Sequence, residues 1–265
     1  MLQNIAIGQY VPGHSFLHRA DPRSKMLFII LFAFLVFMAN NATTYVILLA
    51  FTAMLILLSR LSMVYILKSL RPVWILVLFT VVLHLLITKG GDVYFRWGWF
   101  SIEEQGVTQA IFISLRVSLL VLVSSLLTLT TSPIDLTEGL ERLLGPFGRV
   151  GVPVHEIALM MSIALRFIPT LMEETDKIMK AQMARGANFT SGNLIRRAQN
   201  LIPIVIPLFI SAFRRAEELA LAMEARGYRG GVGRTRLRKL TLGWRDGSIA
   251  AASLVLALVI GWWRT

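Results

Sequence analysis

No cysteine occurs anywhere in the chain. That excludes a disulfide framework, a thiolate nucleophile and a sulfur metal site, and redox chemistry goes with them. Charge is scarce as well: Asp, Glu, Lys and Arg make up 16% of the residues against 55% hydrophobic. This is more apolar side chain than a water-soluble domain of 265 residues can usually bury. The composition specifies an integral membrane protein. Asp and Glu are missing from the long apolar runs, which argues against proton- or sodium-coupled secondary transport. No nucleophile–base constellation stands out, which argues against an intramembrane enzyme. The chain opens on the polar "MLQNIAIGQYVPGHSFLHRADPRSK" and not on a cationic stub with a short apolar core and a cleavage site. The N-terminus is therefore expected in the cytoplasm.

What is present is a series of apolar runs. A bilayer core about 30 Å thick takes roughly 20 helical residues to cross, and five spans are predicted at 26–39, 43–59, 72–88, 107–131 and 247–263. The first two are short. One continuous helix over 24–59 would run about 54 Å at 1.5 Å per residue, so a tight hairpin turning at Asn40-Asn41 is the better reading. Trp262 and Trp263 stand where an interfacial belt would put them. In the loop 89–106, aromatics alternate about Gly98, a pattern suited to a small hairpin at the headgroup level.

Residues 132–246 are too charged for lipid and too many for a loop, so the chain divides into 1–131, a coupling-type domain at 132–246 and a last span at 247–265. From a cytoplasmic N-terminus, five spans put that domain inside. The charges agree. The short inner segments carry Arg19, Arg23, Lys25, Arg60, Lys68 and Arg71 against Asp21, while Lys89, Arg96 and Arg264 outside are balanced by Asp92, Glu103 and Glu104. The positive-inside rule then accounts for the net +12 without nucleic acid.

The domain spells one helix ending twice, "AQMARG" at 181–186 and "AMEARG" at 222–227. Leu171, Met172, Ile178, Met179 and Met183 share one side of the first helix, with i,i+4 pairs Glu173–Lys177 and Asp176–Lys180 expected on the other. The second has Phe213, Ala216, Leu219, Ala220 and Met223 opposite Arg214, Arg215, Glu217, Glu218 and Glu224. Pro169 in the first helix, and Pro203 and Pro207 before the second, are candidate bend points. Neither helix is expected to span; both are expected to lie along the cytoplasmic surface. Taken singly, each ending reads as a cap, with Gly186 or Gly227 left-handed and an Arg at the negative end of the dipole. Taken together, small Ala184 and Ala225 beside the five-donor forks of Arg185 and Arg226 suggest two equivalent plugs for two similar sockets.

Other signals are weaker. "GQYVPGHS" at 8–15 has P-loop glycine spacing, but His14 replaces the Lys and Pro12 removes an N–H, so it reads as a turn. His14 and His18 are i,i+4 without a convincing third ligand, and no metal site is expected. His84 lies in the third span. Arg116 lies nine residues into the fourth, roughly 14 Å along it, where an ionisable group either works or pairs with a carbonyl or a neighbouring helix. The basic stretch 226–239 suits anionic headgroups or a solvated linker.

Along nearly its whole length the chain resembles the transmembrane T component of energy-coupling factor (ECF) transporters, ABC-type importers of vitamins and transition-metal ions. The likeness rests on "GQYVPGHSFLHRADPRSKML", "LTLTTSPIDLTEGLERLLGP", "IALRFIPTLMEE" and the two Ala-Arg-Gly endings. It implies an all-α fold in a prokaryotic cell membrane and a non-enzymatic role, with ATP bound by partners and no cofactor here. The implied partners are two ABC ATPases and one substrate-binding membrane S component at a time. The implied docking residues are Ala184, Arg185, Gly186, Ala225, Arg226 and Gly227. "GQYVPGHSFLHRADPR" looks more like the module shared among several S components than one dedicated to cobalt, nickel or a single vitamin. A membrane scaffold without transport is the rival from another class.

Overall fold

The computed structural model describes residues 10–97, 100–187, 189, 193–230 and 243–263. Its described residues form two compact units, one of 10–139 with 243–263, the other within 140–230, and the boundary falls inside one helix between Gly139 and Leu140.

The first unit begins with irregular chain over 10–14, and its turn lies at 16–19, just after the "VPGHS" where it is expected. His18 shares a proton with Ser15 Oγ through Nδ1 at 2.6 Å and bonds the Val11 carbonyl through Nε2 at 3.0 Å. Both ring nitrogens are thus engaged in local structure, and no cluster of three or more metal-ligating side chains occurs among the described residues. Burial pushes the His18 imidazole below its ordinary value, partly opposed by its bond to Val11.

Helix α1 (Pro22–Met38) starts where Pro22 fixes the first helical φ and the Asp21 carboxylate accepts from the Arg23 N–H at 2.9 Å. Helix α2 (Ala42–Ser59) begins at Asn41, whose backbone N–H and carbonyl both meet the Thr44 hydroxyl. The stretch 24–59 is therefore two helices broken at 39–41, and they fold back on each other: the rings of Phe28 and Phe51 lie 6.0 Å apart.

The third apolar run is longer in space than in the sequence reading. Helix α3 (Met63–Leu70) precedes α4 (Val73–Ile87), and the two meet at a 50° bend at Arg71-Pro72. Strands β1 (Val93–Trp97) and β2 (Phe100–Glu103) then pair antiparallel, the hairpin that the alternating aromatics predict. Helix α5 (Glu104–Thr130) follows at once. A Cβ at Gly106 would come within 3.0 Å of the Thr88 and His84 carbonyls, so the end of α4 and the start of α5 approach closely only because position 106 has no side chain.

After α5 come α6 (Pro133–Leu144), opening at Ser132-Pro133, and a 3-10 turn at Gly145–Val150 where the Gly-Pro pair breaks it. Then follow α7 (Val154–Ala184), α8 (Leu194–Ala225) and α9 (Trp244–Trp263). The core of the first unit is built by α1, α2, α5 and α9 around Phe32, Leu35, Val36, Tyr45, Leu48, Leu119, Val123, Leu256 and Ile260. Outside it, large apolar side chains such as Leu57, Phe34 and Leu258 are mostly exposed, the arrangement of helices solvated by lipid.

Among the described residues four helices are long and apolar enough to cross a membrane, namely α2, α5, α7 and α9, and the bent pair α3–α4 makes a fifth if it is one broken span. The total of five agrees with expectation, but the membership does not. α1, with 17 residues, is at the short end of the roughly 17–25 that cross a bilayer, whereas α7, expected not to span, is long and apolar enough to do so. The reason is continuity: the apolar "IALMMSIALRFIPTLM" and the charged stretch after it form one unbroken helix of 31 residues through Pro169.

A buried carboxylate fastens the last helix to the first. Asp246 Oδ1 accepts from the Asp21 N–H at 2.8 Å and the Ser24 hydroxyl at 2.6 Å, and Oδ2 accepts from the Gly243 N–H at 2.7 Å. Beside it the buried Lys25 ammonium donates to the Thr130 carbonyl at 3.2 Å and to Thr131 Oγ1 at 2.8 Å, joining α1 to the end of α5. Asp246→Ala strands buried donors and is expected to cost about 3 kcal/mol. A clearly lowered thermal midpoint of the detergent-solubilised protein checks this; an unchanged midpoint contradicts it.

Candidate docking site at two matched helix ends

An α-helix leaves its last four carbonyls without intrahelical partners. α7 and α8 resolve this in the same way. At the end of α7, Arg185 has φ −86°, ψ 5° and Gly186 has φ +90°; at the end of α8, Arg226 has φ −85°, ψ 6° and Gly227 has φ +71°. Gly186 N–H donates to the Met183 carbonyl and Ala187 N–H to the Gln182 carbonyl, each at 3.0 Å. Gly227 N–H donates to the Glu224 carbonyl at 2.8 Å and Tyr228 N–H to the Met223 carbonyl at 3.0 Å. Both are Schellman closures with the same pattern of bonds.

The closure uses backbone groups only, so it leaves the side chains free. Ala184, Arg185, Gly186, Ala225, Arg226 and Gly227 are all exposed. Neither Arg185 nor Arg226 makes a hydrogen bond or ion pair through its guanidinium among the described residues. A Cβ at Gly186 or Gly227 would meet nothing within 4 Å, so glycine is required there by backbone conformation and not by crowding. Each tip thus presents an exposed cation with no partner among the described residues.

Side-chain hydrogen bonds join the two helices at Glu174. Glu174 of α7 accepts from the Ser211 hydroxyl at 2.6 Å and from Arg215 Nη2 at 3.0 Å on α8. Glu174 precedes Ala184 by ten residues and Arg215 precedes Ala225 by ten residues. Beyond the clasp each helix therefore runs for about 15 Å before its tip. The expected i,i+4 pairs are not formed: Glu173, Asp176, Lys177 and Lys180 make no ion pair among the described residues. Solvated pairs gain too little to hold long side chains in one geometry. Glu174, passed over in the sequence, is the acid engaged, and its partners 37 and 41 residues away left no local signal.

The prolines lie within unbroken helices, Pro169 in α7 and Pro203 and Pro207 in α8. Each removes an N–H, so the carbonyls of Leu165, Gln199 and Pro203 lose their i+4 donor. Ring faces beyond them are open: Phe209 and Phe213 touch edge-to-face at 4.6 Å and are both about 60% exposed.

Of the intramembrane candidates, Arg116 Nη2 donates to the Ala39 carbonyl at 3.3 Å, and its guanidinium lies 5.3 Å from the Phe37 ring centroid. It therefore caps the carbonyl end of α1, where a cation meets the negative end of the dipole. His84 Nδ1 bonds Thr88 Oγ1 at 3.0 Å, closing the last turn of α4. His155 Nδ1 bonds Glu141 Oε1 at 3.0 Å. The basic stretch 226–239 lies outside the described residues beyond Gly230.

These features define an all-α, multi-pass membrane protein. A family model described as CbiQ, cobalt transport protein, matches residues 13–237. The chain is 80% identical over 265 residues to a protein of Brevibacillus brevis (strain 47) named energy-coupling factor transporter transmembrane protein EcfT, with 100% of both chains covered. Proteins of the same name from Bacillus subtilis (strain 168) and Acidaminococcus fermentans are 53% and 51% identical, the alignments covering 98% and 100% of this chain and 98% of each relative. The chain belongs to the CbiQ family, as a non-enzymatic transmembrane component of an energy-coupling factor transporter.

The glycine requirement is testable apart from any partner. Gly186→Ala and Gly227→Ala force an L-residue into the left-handed region at roughly 1 kcal/mol. Hydrogen exchange of the last helical turn should quicken by about fivefold in each variant; unchanged exchange would show that the closures do not depend on glycine.

Proposed function

We propose that this chain is the coupling subunit of the transporter, carrying the ATP-driven motion of two ABC ATPases to a separate substrate-binding membrane S component. The observation that carries this reading is the equality of the two tips: the same closure, the same exposed unpaired arginine and the same ten-residue reach beyond one clasp. Two equal plugs suit a pair of homologous sockets, and ABC ATPases act in pairs. ATP is bound and hydrolysed by those partners, and no cofactor is required of this chain.

In this mechanism Arg185 seats in one ATPase and Arg226 in the other, each offering a planar fork to carboxylates or carbonyls. Ala184 and Ala225 let the socket walls approach, and Gly186 and Gly227 turn the chain away from the contact. Closure of the ATPase pair displaces both tips. The Glu174–Arg215 clasp makes the two displacements one motion, and the orphaned carbonyls at Pro169, Pro203 and Pro207 let the helices bend where they meet the membrane. The exposed apolar row of α8, formed by Ile202, Val205, Phe209 and Phe213, offers the S component a surface to be moved by.

In this reading substrate choice belongs to the S component. The relatives carry the general energy-coupling name and not that of a substrate, which favours a shared module over one dedicated to cobalt, nickel or a single vitamin. The charge distribution supports a cytoplasmic N-terminus and cytoplasmic tips.

The test is the double variant Arg185→Glu/Arg226→Glu in vesicles reconstituted with the ATPases and an S component. Losing a buried, paired arginine typically costs about 2–5 kcal/mol, so ATP-dependent uptake and substrate-stimulated hydrolysis should both fall below detection while the subunit remains inserted. Uptake at the unsubstituted level would refute the docking role. Glu174→Gln should be milder, slowing uptake severalfold with both ATPases still bound.

A further inference from the structure

An apolar slot of about 210 Å³ opens between α1, α2 and α9, lined among others by Phe16, Phe28, Phe51, Leu58, Ser248 and Ala252. It exceeds the roughly 150 Å³ of an apolar cavity that admits benzene. The polar side chains nearest it are already committed: Lys25 contributes its stem to the wall while its ammonium donates to Thr130 and Thr131, and Arg23 pairs with Asp21 at 2.9 Å. The flanking surfaces are apolar and exposed, with Leu57 of α2 75% exposed and Leu254 of α9 62% exposed. Whatever fills the slot therefore arrives from the bilayer.

The mouth has a different character. The Asp21–Asp246 bond puts the first turns of α1 and α9 at one end, and the Phe28–Phe51 contact puts the last turns of α2 at the same end. Arg60 closes α2 there, two residues beyond the slot-lining Leu58. Arg245 lies one helical turn before the slot-lining Ser248, over the ring of Trp244 at 5.7 Å, and Trp244 meets Phe16 edge-on at 5.8 Å. Neither Arg60 nor Arg245 has an ion-pair partner among the described residues.

We propose that this slot is a specific site for one anionic phospholipid, an acyl chain lying between α1, α2 and α9 and the phosphate held by Arg60 and Arg245. Two guanidiniums without an ion-pair partner among the described residues, at the end of α2 and the start of α9 that flank an apolar slot, match a molecule that is anionic at one end and aliphatic at the other. The aromatic pair Phe16–Trp244 supplies the interfacial wall that such a lipid needs at glycerol depth. A lipid there fills the gap between the last helix and the α1–α2 hairpin, and so acts on the same joint as Asp246.

The test equilibrates the full-length protein in mild detergent with equal amounts of phosphatidylglycerol and phosphatidylcholine of the same chains and reads the retained lipid by native mass spectrometry. One phosphatidylglycerol per protein is expected, favoured by about 30-fold, two arginines at about fivefold each. Arg60→Gln/Arg245→Gln changes only the rim and should erase the preference; Ala252→Phe should block the chain and abolish retention of both lipids. Equal retention of the two lipids by the unsubstituted protein would overturn the proposal, as would no retention at all or a preference that survives the double arginine variant. If Ala252→Phe fails to fold, the arginine variant decides alone.

Discussion

A helix that ends in water must find partners for its last carbonyls, and the way it does so decides what its final side chains are free to do. In α7 and α8 the backbone provides all of them, through a left-handed glycine and two bonds that reach back over the last turn. An arginine that would otherwise fold over the carbonyl end is released to point outward. The Ala-Arg-Gly spelling is the minimum that achieves this: a small residue for approach, a cation for grip, a glycine for the turn. Both the rigidity of the tips and their equality depend on that closure, and the clasp at Glu174 matters because it joins two ends that are already stiff.

The first unit solves the opposite problem. Its helices expose apolar side chains outward and bring buried polar groups together at a hydrogen-bonded junction. Asp246, Ser24, Lys25 and Thr131 form such a junction, tying α9 and α5 to the first turn of α1. Arg116 serves the other end of α1 by capping Ala39. Both ends of α1, a helix of only 17 residues, are thus fixed by groups distant in sequence, and its Phe32, Leu35 and Val36 lie in the core.

Much of this was legible in the sequence because it is local. The Asn40-Asn41 break, the hairpin of alternating aromatics at 93–103, the opening of α6 at Ser132-Pro133 and both glycine closures are set by residues within a few positions of each other. The misses have a common cause. Nothing near Glu174 distinguishes it from Glu173, since its partners are on another helix. Asp246 looks like an ordinary first-turn acid until α1 is beside it. The expectation that α7 does not span rests on its charged second half, but the apolar first half of the same 31-residue helix makes it long and apolar enough to cross.

The absence of cysteine makes the central claim directly accessible, since a thiol introduced at either tip is the only one in the chain. Ala184→Cys and Ala225→Cys, each placed in the subunit of the assembled transporter and treated with a short thiol-to-amine cross-linker, should each capture an ATPase, with a cysteine at exposed Ile157 on the same helix as a control that captures none. Capture of an ATPase from both tips is the predicted result. Capture from neither, in a complex that still contains its ATPases, would return the repeated endings to the status of helix caps.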